Sequence, residues 1–121
     1  MGVTVLVTGS RDWKNEASLR DRLDRIHRES GIDLLIHGAC PTGADDMADK
    51  WCRANDVEVD RRPADWKTHG KPAGFIRNAE MVQLRPDTVL AFQRNQSRGT
   101  QHTIDLATKA GIDVILEAEE G

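Results

Sequence analysis

Five short apolar runs, at residues 3–7, 32–37, 56–60, 88–92 and 112–116, recur along the chain with a helix-period segment between each successive pair. That alternation leaves few folds open, because strands joined by helices pair in parallel and need helices on both faces of the sheet. Residues 3–7 are apolar at odd and even positions alike, which predicts a central strand buried on both faces. Residues 56–60 alternate apolar with charged, as a half-exposed strand near a sheet edge does. Leu19, Leu23 and Ile26 hold helical spacing up to Gly31, a natural helix stop. Met47, Ala48, Trp51 and Cys52 follow the turn at Thr42, which with Asp45 three positions later resembles a capping box. Further helices are expected over residues 73–84 and 99–110, the second stopped by Gly111. Residues 61–72 show no period and read as the longest irregular connection, 112–116 as a last buried strand, and 117–121 as a frayed acidic tail. The expected fold is a single Rossmann-like, doubly wound α/β domain over residues 1–121, with about five parallel strands.

The function classes left open are narrowed by charge and cysteine usage. A formal net charge of −3 argues against a surface built for nucleic acid. No apolar run approaches the roughly 20 residues that cross a bilayer, and a strand-like run from residue 3 leaves no room for a leader, so a cytoplasmic protein without membrane contact is expected. Cys40 and Cys52 lack redox or zinc spacing. His27, His37, His69 and His102 show no pairing with cysteine or carboxylate that would suggest ligation, so neither metal nor cofactor is expected.

Three polar, glycine-bearing turns stand where predicted strands give way to helices, and a free helix N-terminus attracts anions. In Gly9-Ser10-Arg11 the glycine permits close approach, the serine offers a hydroxyl and the arginine suits phosphate; alternatively Ser10 or Asp12 caps the helix and Arg11 pairs on the surface. The turn from Gly38 and Ala39 to Gly43 has the glycine spacing of a Walker A loop. Ala44 and Asp45 stand where lysine and a hydroxyl residue are required, so it is not one. Asp45 is either a helix-start carboxylate or an acceptor for ribose hydroxyls or a base. In Ser97-Arg98-Gly99-Thr100 the same two readings hold, a capped helix start or an anion seat. Arg77 and Asn78, near the start of the third long helix, are candidates to face the same crevice, while Glu80 reads as an exposed helix carboxylate.

These stretches, together with Pro63-Ala64-Asp65-Trp66 and Gly74-x-x-Arg77-Asn78-x-x-Met81, resemble the YspA-like branch of the SLOG superfamily over nearly the whole chain. The resemblance implies a Rossmann-like domain that binds a nucleotide or nucleotide-derived ligand, in a branch whose relatives occur in bacteria and their phages. It also implies a comparison with the LOG-type phosphoribohydrolases, whose motifs are Arg-Lys-x-x-Met and Pro-Gly-Gly-x-Gly-Thr-x-x-Glu. Here Gly99-Thr100 match, Gln96 and Ser97 replace two glycines, and Thr103 stands at the glutamate position. The leading expectation is therefore a binding module, a sensor or sequestering protein. The alternative is a phosphoribohydrolase that recruits Asp45, Asp65 or Glu80, with Arg77. A single-stranded nucleic-acid module ranks third, and a homo-oligomer formed through an apolar helix face remains open.

Overall fold

The computed structural model describes residues 2–121. Its elements run β1 (Val3–Gly9), α1 (Glu16–Ser30), β2 (Ile32–His37), α2 (Gly43–Ala54), β3 (Glu58–Arg61), α3 (Trp66–His69), α4 (Ala73–Gln83), β4 (Thr88–Arg94), α5 (Arg98–Lys109) and β5 (Asp113–Glu119). The strands form one parallel sheet in the order β3-β2-β1-β4-β5. The chain adds β2 and β3 on one side of β1, then crosses back to add β4 and β5 on the other. Right-handed crossovers consequently send α1 and α2 to one face and α4 and α5 to the opposite face.

The side-chain pattern of β1 shows why it is central. Val5 and Val7 pack with Leu19, Leu23, Ala48 and Trp51 of α1 and α2, while Leu6 packs with Met81, Val82 and Ala107 of α4 and α5. All three β1 residues are fully buried. Trp13 closes the first core over Phe92, edge to face at 5.4 Å between ring centroids.

The C-terminal end differs from the sequence reading. Residues 117–119 are not a frayed tail; they continue β5, paired in register with Phe92, Gln93 and Arg94. Glu119 accepts from the Lys14 N–H at 2.7 Å and from Arg94 Nη1 at 3.0 Å, and these two partners hold a segment that composition alone marks as acidic and loose. Nor is β5 buried on both faces, for it is a sheet edge, and Leu116 remains 50% exposed. The connection over residues 61–72 contains a four-residue helix, α3, whose cap Asp65 accepts from the Thr68 N–H at 3.1 Å. Two helix starts also differ. Asn15, rather than Ser10 or Asp12, caps α1, accepting from the Ser18 N–H. Thr42 precedes α2 without capping it, because its hydroxyl donates instead to the Arg11 carbonyl at 3.0 Å.

Gly9 matters through what lies beside it. A Cβ there would overlap that of Ala44 in α2 and stand 2.9 Å from the Phe92 carbonyl oxygen, whereas one on Gly99 meets open space. Gly9→Ala is expected to destabilise the fold by about 1–3 kcal/mol through overpacking, and Gly99→Ala to stay within about 0.5 kcal/mol of wild type. Urea unfolding followed by circular dichroism measures both.

Candidate functional site

Where the chain reverses the direction of strand addition, between β1 and β4, the loops beyond the strand ends part. They enclose a cavity of about 760 Å³, within the range of small-molecule sites. Its wall is built from the β1 end, the loop after β2, the connection before α3, and the first turns of α2, α4 and α5.

Ten of the residues singled out in the sequence meet in this wall: Gly9 and Arg11 from the first turn; Gly38, Ala39 and Asp45 from the second; Arg77 and Asn78 from α4; and Ser97, Gly99 and Thr100 from the α5 start. Five lie outside it, one of them Asp65, whose carboxylate caps α3. Ser10 is 3% exposed, and its hydroxyl accepts from the Arg94 N–H at 2.8 Å and donates to the Arg94 carbonyl at 3.3 Å, so it fastens β1 to β4. Gly43, at φ +72°, packs so tightly on the Ser10 and Arg11 carbonyls that no side chain fits. Arg98 is exposed on the first turn of α5, and Glu80 is exposed on α4, as expected from the sequence.

The wall is held by side chains that bond to neighbouring loops. His37 Nδ1 accepts from the Ala39 N–H at 2.9 Å, fixing that residue at φ +59°, and Nε2 therefore donates to Asp49 Oδ1 at 2.8 Å. Asp49 also receives Arg61 at 2.7 Å and Arg53 at 3.2 Å; chiefly the Arg61 hydrogen bond holds its carboxyl below the usual range. The sequence reading gave His37 no carboxylate partner. The two residues are twelve positions apart, one at a strand end and one within a helix, and only the fold joins them. Arg77 Nη1 donates to the Gly38 carbonyl at 2.6 Å and to that of Arg62 at 3.3 Å, and Nε donates to Asn78 Oδ1 at 2.9 Å. Burial lowers the pKa of this guanidinium. Asn78 passes the connection on, its amide donating to the Gly99 carbonyl and to His102 Nδ1, both at 3.3 Å.

Arg11, Lys71 and Arg77 make this wall predominantly cationic. Neither Arg11 nor Lys71 forms a salt bridge among the described residues. At α5, Ser97 forms the cap, accepting from the Thr100 N–H at 3.5 Å and from its hydroxyl at 3.3 Å. The N–H groups of Arg98 and Gly99 have no partner within the helix. Against these positive groups stands one acid. Asp45 is 6% exposed and accepts from the Cys40 N–H at 3.3 Å. Burial pushes its carboxyl up, and the Cys40 N–H and the Arg77 guanidinium pull it only part of the way back. Thr103, at the position of the LOG-type glutamate, is wholly buried, its hydroxyl donating to the Gly99 carbonyl at 3.4 Å.

Sequence reasoning missed two aromatic members of the wall as site residues. Trp66 and Phe75 line the cavity while remaining 52% and 48% exposed. Trp66 had a signal, since it stands in the aperiodic connection and in one of the quoted motifs. Phe75 had none, because an aromatic at helical spacing reads as core.

A family model described as the YspA, cpYpsA-related SLOG family matches residues 3–69. The chain belongs to this family. The match runs from β1 through α3, and so covers the first two turns of the site in this SLOG domain. The Gene 61 protein of Mycobacterium phage D29 is 44% identical over 117 residues, 92% of this chain and 93% of that protein. No solved structure matches the chain.

The raised pKa of Asp45 carries a stability signature. Ionising this carboxyl is easier in the unfolded chain, so its contribution favours the fold below the unfolded value of about 3.9 and is lost as pH rises from there through the folded value. Asp45→Asn lacks that loss. The melting temperature of the variant minus that of wild type is expected to grow with rising pH across this window and then level off, as scanning calorimetry in a pH series would record.

Proposed function

We propose that this SLOG domain binds a nucleotide or nucleotide-derived ligand, of the nucleoside phosphate or ADP-ribose class, as a sensor or sequestering module. The observation that carries the reading is the meeting, in one cavity, of unpaired cations and open helix N–H groups with a single buried acid. Arg11 and the α5 start supply what a phosphate accepts, a fixed positive charge and directed backbone donors. Asp45 supplies a polar contact for a ribose hydroxyl or a base edge. Retention rather than turnover is favoured by Thr103, which brings no carboxylate to the position where the LOG-type motif carries glutamate.

A second reading rests on Asp45 itself. A carboxyl held above its ordinary range inside a cleft suits proton donation to a leaving base, as a nucleotide phosphoribohydrolase needs. The two readings part in one experiment. Titration calorimetry with nucleoside monophosphates and ADP-ribose is expected to show binding that weakens about tenfold in Arg11→Ala. Arg98→Ala, whose side chain lies outside the wall, is expected to stay within about twofold. Chromatography of the same mixtures is expected to show no free base. Release of base would establish the second reading, and the absence of any binding would overturn both.

A further inference from the structure

We infer that Trp66 and Phe75 form a stacking subsite for a flat heteroaromatic ring of the bound ligand, an inference that rests on the nucleotide-binding reading above. The other three aromatic rings of the chain, Trp13, Trp51 and Phe92, lie in the core, whereas these two stand half exposed at one cavity. Large apolar faces left in water at the wall of a polar cleft are what an aromatic ligand covers.

Both rings are held in place before any ligand arrives. Phe75 lies nearly parallel to the His102 imidazole, with centroids 4.1 Å apart and planes inclined by 16°, so one of its faces is already taken. His102 is itself fixed by the Asn78 amide. The indole of Trp66 lies over the first turn of α4 at Gly74, where an added Cβ would stand 3.5 Å from its outer edge. Its short helix is pinned at the start by Asp65 and closed by Gly70 at φ +63°. Rings held in this way lose little freedom on stacking. Charge and backbone donors come from Arg11 and the α5 start, and apolar Val7, Pro63 and Met81 also line the wall, so the aromatic pair supplies a ring-binding part beside an anion-binding part.

The pair AMP and ribose 5-phosphate isolates the ring, because the two molecules share the sugar phosphate and differ by adenine. Wild type is expected to bind AMP about tenfold or more tightly than ribose 5-phosphate, with quenching of the Trp66 emission. Trp66→Ala and Phe75→Ala are each expected to weaken AMP about five- to tenfold and ribose 5-phosphate less than about twofold, while Trp66→Phe restores most of the loss. Equal affinity of wild type for both probes, or equal loss of both in the alanine variants, would overturn the subsite and leave the nucleotide-binding reading standing. So would sedimentation showing that the alanine variants break an oligomer without changing AMP affinity, since the rings would then be covered by a second copy of the chain. If neither probe binds wild type, the subsite and the reading beneath it fall together.

Discussion

Ser10 makes five hydrogen bonds on which the layout of the cleft depends. Its N–H donates to the Phe92 carbonyl at 2.9 Å, and its hydroxyl both accepts from and donates to the Arg94 backbone. Its own carbonyl accepts the N–H of Trp13 at 3.2 Å and that of Ala44 at 3.4 Å. One residue thereby fastens the end of β1 to β4, sets the turn toward α1 and anchors the first turn of α2. A parallel sheet has no such rivet of its own beyond the last ladder bond. At the place where strand order reverses, Ser10 carries the β1–β4 junction past the last ladder pair, Gly9 with Phe92. Gly9 and Gly43 make the same junction possible from the steric side, since α2 reaches the sheet only where neither carries a Cβ.

From this junction the cleft is closed by loops that bond to one another. Thr42 ties the second turn to the first, His37 and Asp49 brace the loop after β2, and Arg77 with Asn78 carries the connection through to the α5 start. Most polar atoms of the wall are thus committed to the protein. What remains uncommitted is small in number and consistent in kind: the Arg11 and Lys71 charges and the leading N–H groups of α5, with Asp45 as the counterpoise. A cleft that commits its polar groups in this way is preorganised, and a ligand need not order the loops at its own expense.

The fold was legible because periodicity answers directly to burial. Val3 to Val7 lacks a polar face, and a strand without one belongs in the middle of a sheet; Glu58 to Arg61 has one and lies at an edge. β5 was misread because its apolar content resembles that of β4, and edge position depends on what lies beyond a strand rather than within it. The site was legible as turns and less so as side chains. Glycine and hydroxyl residues at a strand end mark a turn equally well whether they touch a ligand, as the wall position of Gly99 permits, or touch the protein, as Ser10 and Gly43 do. The difference lies in partners far along the chain, Arg94 for Ser10 and the Ser10 and Arg11 carbonyls for Gly43, and no local pattern encodes them. Phe75 shows the converse, a residue whose helical spacing is that of core and whose exposure is that of a site.

Asp45 and Arg77 show how this wiring bears on binding. The acid is buried beside a guanidinium that makes no direct bond to it, and the arginine spends its donors on the Gly38 and Arg62 carbonyls and on Asn78. Asp45 therefore feels Arg77 as a field rather than as a partner, and that field is part of what restrains the upward push of burial on its carboxyl. An anion seated on the same cationic wall would cancel some of the field. A phosphate on the wall would then favour protonation of Asp45, and protonation of Asp45 would favour the phosphate, because the two negative charges oppose one another. In the neutral form Asp45 gains a donor that a carboxylate lacks, so an anion on one part of the cleft would also set the hydrogen-bonding character of another.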